Sequence, residues 1–405
     1  MTDEDRRHAR WIDRRMALAR EWDDLVAQAE RLDGRASAPT SPLVAADRSP
    51  VVVVNVGRWR RDALIVTPDG TQAVPLPDLT HAAVYQRADA FLRVISERPP
   101  MTGMSYAAAI EAYQAARQER QRHLSDLMRW LWDTVAEPVL TALGHTGAPR
   151  PGEAWPRVWW CPTSRLALLP LHGAGYHTQA GDSVLDRVVS SYTPTLRALA
   201  DQPRQAPAAP HGALFVGVAD GVGGVPLDEV ARERECVRAA FPGRFTDLDG
   251  TDATVDAVRQ GLAGHAVAHF SCHGFQDLDN PARGGLVLHD GTLSVARISQ
   301  DRYGGELAFL SACRSATGGV DLADEVVTVA AALRYAGFRH VLATLWEVDQ
   351  SVAADVTESV YARLARPDGF DADGAAAALH EALRGLRADP RRSLHDWLPF
   401  VHLGP

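Results

Sequence analysis

From about residue 211 onwards, short unbroken hydrophobic runs alternate along the chain with hydrophobic stripes at helical spacing. Runs such as 265–272 and 306–312 are too short for ordinary helices and predict buried strands. The stripe that joins Val352 to Leu364 recurs every four residues and predicts a helix with one buried face. Strands that alternate with helices indicate a mostly parallel sheet sandwiched by helices.

The preceding part of the chain follows a different pattern. A Val-rich run from Val51 and a second apolar run around the turn residues 68–70 predict a β-hairpin. Residues 105–143 carry a leucine stripe and are expected to be helical, with a kink or a new start at Pro138. We therefore expect an upstream α+β lobe over residues 50–210 and an α/β core over residues 211–405, joined by the Pro-rich segment 201–211.

Residues 1–49 predict an N-terminal helix followed by a linker. Trp11, Leu18, Trp22 and Leu25 fall on one stripe of a helix that is otherwise charged. Such a stripe needs a surface to cover, and two interpretations stay open. The helix docks onto the body of the same chain, or it binds a partner protein.

Two helix ends in the core carry boundary signals. Thr251 or Asp252 is the expected N-cap of the helix before the first run, because both side chains can accept a hydrogen bond from a backbone N–H. Gly337 is expected to end a later helix.

Composition narrows the functional classes. The formal net charge of −9 argues against a nucleic-acid-binding protein, and no apolar run approaches the length of a membrane span. We therefore expect a cytoplasmic protein without a membrane partner. All 42 basic residues are Arg, a bias typical of GC-rich bacterial genes. The four cysteines show no CxxC spacing, so neither a disulfide framework nor a metal site is expected, and no cofactor is predicted.

Candidate chemistry lies where the two hydrophobic runs stop. The first run ends at His273 and Gly274, and the second at Cys313. Open α/β sheets place ligands at the carboxyl ends of their strands. A His close to a Cys favours the nucleophilic thiolate and later protonates the leaving group. The backbone N–H groups of Gly274 and Cys313 are candidates for an oxyanion hole.

A purely structural interpretation of the same residues stays open. A single Cys in a strand is often a small buried hydrophobe, and a single His is often a satisfied polar group. Cys272 is a competing nucleophile, but the alternation of a strand points it away from the face of His273, which favours a core position. His269 lies deeper in the run and is expected to be structural.

Several segments together resemble one family. In chain order they are 268–274 (AHFSCHG), 310–316 (LSACRSA), 324–349 (DEVVTVAAALRYAGFRHVLATLWEVD), 379–387 and 396–404. This series is similar to the motifs of the CHAT peptidases, caspase-like cysteine proteases that are related to separases. The resemblance covers roughly residues 120–405. It implies a caspase-like α/β sandwich in which His273 matches the catalytic His and Cys313 the nucleophile.

The same resemblance suggests further site residues. Gly274 and the amide of Cys313 match the oxyanion donors of the family. Asp324, Glu325 and Asp349 match recurrent acidic positions, and Glu347 and Asp349 should follow a strand beside that of Cys313. We therefore treat Ser311, Asp324, Glu325, Glu347 and Asp349 as candidate substrate-pocket residues. For Asp324 and Glu325, capping of a helix N-terminus is an equal alternative.

The chain also departs from related patterns. Metacaspases, which prefer basic residues before the cleaved bond, carry an acid two residues before the nucleophile, where this chain has Ser311. This departure argues against specificity for Arg or Lys. No 34-residue period is present, so the chain shows no tetratricopeptide array of the kind that many family members carry.

Two functions from different classes follow. The first is a regulated cysteine endopeptidase that acts on a protein substrate through a His273–Cys313 dyad. The resemblance implies a bacterial defence or cell-death setting, an activating protein partner, and a gasdermin-like or other effector encoded nearby as substrate. The second is a catalytically silent scaffold that keeps the fold and binds a partner protein. The intact His and Cys favour the first.

Overall fold

The computed structural model describes residues 49–96, 105–177, 181–200, 211–219, 229–275, 277, 280–311, 328–367 and 369–405. The predicted N-terminal helix, the predicted linker over 201–210 and the segment that holds Cys313, Asp324 and Glu325 lie outside these residues.

The described strands alternate with helices over most of the chain. The strands are β1 (Val51–Val56), β2 (Arg61–Thr67), β3 (Gly70–Pro75), β4 (Arg157–Pro162), β5 (Val189–Tyr192), β6 (Ala213–Gly217), β7 (Phe245–Asp249), β8 (Val267–Ser271), β9 (Gly274–Phe275), β10 (Gly285–Leu288), β11 (Gly291–Ser294), β12 (Leu307–Ser311), β13 (His340–Thr344), β14 (Ala365–Arg366), β15 (Gly369–Phe370) and β16 (Phe400–Leu403). The helices are α1 (His81–Ser96), α2 (Tyr106–Leu131), α3 (Glu137–Ala142), α4 (Val184–Arg187), α5 (Leu196–Ala200), α6 (Val230–Ala240), α7 (Val255–Gly264), α8 (Val295–Ile298), α9 (Val329–Ala336), α10 (Gln350–Leu364), α11 (Ala375–Ala388) and α12 (Leu394–Trp397).

One large sheet organises the described part of the chain. Its eleven strands follow the order β3-β2-β1-β4-β5-β16-β13-β12-β8-β6-β7. The strands β13, β12, β8, β6 and β7 are mutually parallel, and so are β1, β4, β5 and β16. The two parallel groups meet in opposite directions where β13 pairs with β16. The predicted α/β class with a mostly parallel sheet is therefore confirmed.

The sheet continues through strands from both predicted lobes. Strand β16, from the C-terminal end of the chain, pairs with β5 from the upstream lobe. The side chain of Trp159 in β4 strengthens this junction, since its Nε1 donates to the carbonyl oxygen of Gly404 over 2.7 Å. The division of the chain at residue 210 stays a prediction.

Helices cover both faces of the parallel half. In β6, Leu214 and Phe215 point to opposite faces because successive side chains alternate along a strand. Leu214 lies against Gly261 of α7, whereas Phe215 stacks on His269, which contacts α6 and α10. The main cluster of buried hydrophobic residues runs through these layers.

Most predicted boundaries agree with the structure, and one is wrong. Helix α9 ends at Ala336 with Gly337 as its C-cap, as predicted. Pro138 lies in the first turn of α3, where a new helix starts after a short π-helical segment. The N-cap of α7 is Thr254, however, and neither Thr251 nor Asp252. The side chain of Thr254 accepts from the backbone N–H of Ala257 over 3.3 Å.

None of the described helices combines the length and the apolar character needed to span a lipid bilayer. The cytoplasmic location stays a prediction.

Candidate active site

The site lies at the carboxyl edge of the parallel strands. In the register of β8 against β12, Ser271 is paired with Ser311, and β6 ends level with them because Gly217 is paired with Ser271. His273 follows Ser271 by two residues, and Cys313 follows Ser311 by two residues. Equivalent positions after two adjacent parallel strands leave the sheet at the same edge.

A second, smaller sheet positions His273. The backbone N–H of Val287 in β10 donates to the carbonyl oxygen of His273 over 2.8 Å, and Gly274 is paired with Leu286. The hairpin of β10 and β11 is itself tied to the body, because the carboxylate of Asp290 accepts from the N–H of Val255 over 2.8 Å. The predicted hairpin at Asp290 and Gly291 therefore fixes the backbone on which the candidate catalytic His is carried.

A cavity opens beside this edge. Among the described residues, it is lined by the ends of three strands and by the first turns of α6 and α10: Glu229, Val230, Glu233, Ser271, Cys272, His273, Ser311, Thr344, Val348, Gln350 and Ala353. The cavity thus brings His273 together with Ser311, which the sequence had suggested as a pocket residue.

A buried polar cluster forms the floor of the cavity, and the sequence did not point to it. The carboxylate of Glu233 accepts a hydrogen bond from the Ser311 hydroxyl over 2.6 Å. Its second oxygen lies 3.3 Å from Nε2 of His269, whose Nδ1 lies 3.3 Å from the hydroxyl of Tyr361. Glu233 is 2% exposed and His269 is fully buried. Burial holds the pKa of Tyr361 well above its usual value, so its hydroxyl stays protonated and can donate.

One sequence signal could have revealed Glu233. Within α6, the buried residues Val230, Glu233 and Val237 fall at positions i, i+3 and i+7 of one stripe. A glutamate on the apolar stripe of an otherwise charged helix must be buried with partners, because an unpaired buried carboxylate is costly. The partners come from β8, β12 and α10, which are distant in sequence.

The three described cysteines differ in burial and in the pKa of their thiols. Cys272 is 2% exposed, which agrees with the predicted core position, although it also borders the cavity. Burial raises the pKa of the Cys161 thiol to about 11, and burial also raises that of Cys236. A raised pKa keeps a thiol protonated and poorly nucleophilic at neutral pH.

Two other candidate pocket residues, Glu347 and Asp349, are described and do not line this cavity. Strand β13 is indeed parallel to β12, so Glu347 and Asp349 follow the neighbouring strand, but both are exposed. The side chain of Asp349 caps α10 by accepting from the N–H of Ser351 over 2.9 Å. The cavity is lined instead by their neighbours Val348 and Gln350. Their assignment to the substrate pocket, like that of Asp324 and Glu325, stays a prediction.

Within the described ranges, no group of three or more His, Cys, Asp or Glu side chains is arranged to hold a metal ion.

Comparison with known families connects this geometry to a class of proteins. A family model described as the CHAT domain matches residues 125–405, which is more than half of the chain. The chain belongs to the CHAT family. A search of curated protein sequences finds no match to this CHAT protein.

The CHAT protein is similar to separase in fold. The separase–securin complex of Saccharomyces cerevisiae, solved at 2.6 Å and at 3.0 Å, matches with TM-scores of 0.60 and 0.57 at 9% and 10% identity. The two matches cover 94% and 90% of the CHAT chain, which spans about a third of the separase chain, 31% and 30% respectively. The Arg-specific gingipain R matches with a TM-score of 0.45 at 10% identity, over 71% of this chain and 75% of that one. The CHAT protein thus shares the caspase-like α/β fold of separase.

Proposed function

We propose that this CHAT protein is a cysteine endopeptidase in which Cys313 is the nucleophile and His273 the general acid–base. The observation that carries the proposal is the parallel register of β8 and β12. It ends both strands at the same level, Ser271 beside Ser311, next to a cavity that His273 lines.

The proposed reaction proceeds in two steps. The Cys313 thiolate attacks the carbonyl carbon of the peptide bond, and the N–H groups of Gly274 and Cys313 stabilise the oxyanion. As the C–N bond breaks, His273 gives its proton to the leaving amine, and an acyl thioester remains on Cys313. Water then attacks the thioester, His273 accepts its proton, and the carboxylic acid product leaves with the thiol restored.

The structure of separase supports control of the activity by a protein partner. Separase is seen there in complex with securin, a protein partner. In this proposal the activity of the CHAT protein is regulated by a protein partner, in a bacterial defence or cell-death system. Its substrate is a protein effector encoded nearby, of the gasdermin-like or another type. The candidate pocket residues of the sequence analysis contact that substrate: Ser311, Asp324, Glu325, Glu347 and Asp349.

Cleavage of a peptide library by the purified chain, with and without proteins encoded nearby, tests the proposal. Cys313→Ala is expected to abolish cleavage, and His273→Ala is expected to lower kcat by about 10²–10⁴-fold, the usual range for a lost acid–base group. Cys236→Ala removes a thiol of α6 that is not among the described residues lining the cavity, and as the matched control it should leave the rate unchanged. Equal cleavage by wild type and Cys313→Ala would refute the assignment.

A further inference from the structure

The described walls of the cavity carry acidic charge. Glu229 and Glu233 line it, and no arginine is found among its described lining residues, while the chain contains no lysine at all. The arginines of α6 are engaged elsewhere. Arg232 pairs with Asp355 and Glu358 at 2.8 and 2.7 Å, and Arg234 pairs with Asp249 at 2.6 Å.

Glu229 and Glu233 lie at different depths. The side chain of Glu229 is 33% exposed, and its nearest described cation is Arg232 at 3.9 Å. Glu233 is 2% exposed and lies one helical turn further into the same helix. The cavity therefore has one carboxylate near its mouth and one on its floor.

The described partners of Glu233 are a hydroxyl and an imidazole. The Ser311 hydroxyl donates to one oxygen of the carboxyl group, and Nε2 of His269 lies 3.3 Å from the other. Among the described residues, no arginine pairs with this carboxyl group. A buried carboxylate is stabilised strongly by an opposite charge that enters from the open side.

We propose that this cavity receives the side chain of an Arg or Lys that immediately precedes the cleaved bond, and that Glu233 determines this specificity. The inference rests on the proposed peptidase function and names its substrate class. The cavity adjoins His273 and Ser311, the residue two before Cys313, so its occupant is the substrate residue next to the reacting carbonyl.

Apolar groups on the remaining walls favour a long side chain with a cationic end. Val230, Val348 and Ala353 present aliphatic groups against which the methylenes of Arg or Lys can pack, while the charged end reaches the floor. The sequence argued against such specificity because Ser311 stands where metacaspases have an acid. In this proposal the acid comes from α6 instead, since the carboxyl group of Glu233 accepts a hydrogen bond from the Ser311 hydroxyl.

Matched peptides that differ at one residue test the proposal. Four peptides carry Arg, Lys, citrulline or Leu before the cleaved bond; citrulline keeps the shape of Arg but is neutral. We expect wild-type kcat/KM for Arg to exceed that for citrulline by about 100-fold or more, because a site with a buried polar group rejects a ligand that leaves it unpaired. In Glu233→Gln the ratio should fall towards one.

Glu235→Gln is the matched control. Glu235 lies on the same helix, its side chain is 69% exposed, and its described partner is Arg238 of α6. Its Arg-to-citrulline ratio should equal that of wild type. A general weakening of the fold by Glu233→Gln would lower all four rates together, whereas the proposal requires the ratio to change.

Binding to the Cys313→Ala protein separates this inference from the proposed function. Calorimetry with the same peptides should show tighter binding of Arg and Lys than of citrulline by at least about tenfold. If the Cys313→Ala protein binds the Arg and Lys peptides preferentially but the wild type cleaves none of the four, the pocket proposal is supported and the peptidase proposal is refuted. Cleavage at equal rates for all four peptides would support the peptidase and overturn the proposed Arg/Lys pocket. Equal or undetectable binding of all four peptides would also overturn the pocket.

Discussion

At the scale of single residues, the proposed specificity pocket depends on one carboxylate, Glu233, that local sequence patterns identify poorly. Val230, Glu233 and Val237 share the buried stripe of α6, so helical periodicity could have predicted that Glu233 is buried. Periodicity could not have predicted its partners, because Ser311, His269 and Tyr361 come from three other elements. Such a cluster forms only when the helices pack on the sheet, so the spacing of these residues along the chain does not predict it.

Several buried histidines make the protein sensitive to acid. Burial lowers the pKa of His172, His177 and His395 to about 4 and that of His380 to about 3. In the unfolded chain a histidine titrates near about 6.5. Between these values the unfolded chain binds more protons than the folded one, so stability is full above pH 6.5 and falls as the pH drops towards 4.

We expect urea midpoints to stay constant from pH 8 to 7 and to fall steadily from pH 6 to 4.5. For the fully buried His172, a shift of this size corresponds to a loss on the order of 3 kcal/mol by pH 4. The His380→Leu variant removes one such imidazole and should lose less stability over this range. A midpoint that is flat down to pH 4.5 would show that these side chains are not held neutral in the fold.

At the scale of elements, the hydrophobic pattern identified most helices and strands of the core, and it failed where three cap signals compete. Thr251, Asp252 and Thr254 are all good N-cap residues, and sequence alone does not rank them. Asp290 settles the start of α7, because its carboxylate accepts from the N–H of Val255 while Thr254 accepts from that of Ala257. That hairpin contact comes from 35 residues further along the chain.

Substitution at the two threonines checks this correction. Thr254→Ala removes the side-chain acceptor at the start of α7 and should lower the free energy of unfolding by about 1 kcal/mol. Thr251→Ala is the matched control; its side chain is exposed and outside the helix, so it should change stability by less than about 0.5 kcal/mol. Urea denaturation of both variants at pH 7.5 gives the comparison. A larger loss of stability in Thr251→Ala would indicate that α7 begins at Thr251, as the sequence predicted.

At the scale of the whole molecule, alternating strands and helices predicted a parallel sheet, and the structure has one. The hydrophobic pattern did not predict the antiparallel pairing of β13 with β16 or the pairing of β16 with β5. They join segments about 60 and 210 residues apart, and short apolar strands do not encode which neighbour they pair with. The same sheet order sets β8 beside β12, on which the proposed active site depends.

Covalent trapping tests the proposed dyad most directly. The purified chain is treated with peptidyl chloromethyl ketones that carry Arg, Lys, Leu or Asp, and the modified residue is mapped by mass spectrometry. We predict a single adduct on Cys313, formed at least about 100-fold more slowly in His273→Ala and at the wild-type rate in Cys236→Ala. An adduct on Cys272 or an equal rate in His273→Ala would contradict the proposed dyad. An unmodified Cys313 in the presence of the proteins encoded nearby would contradict the peptidase and favour a catalytically silent scaffold.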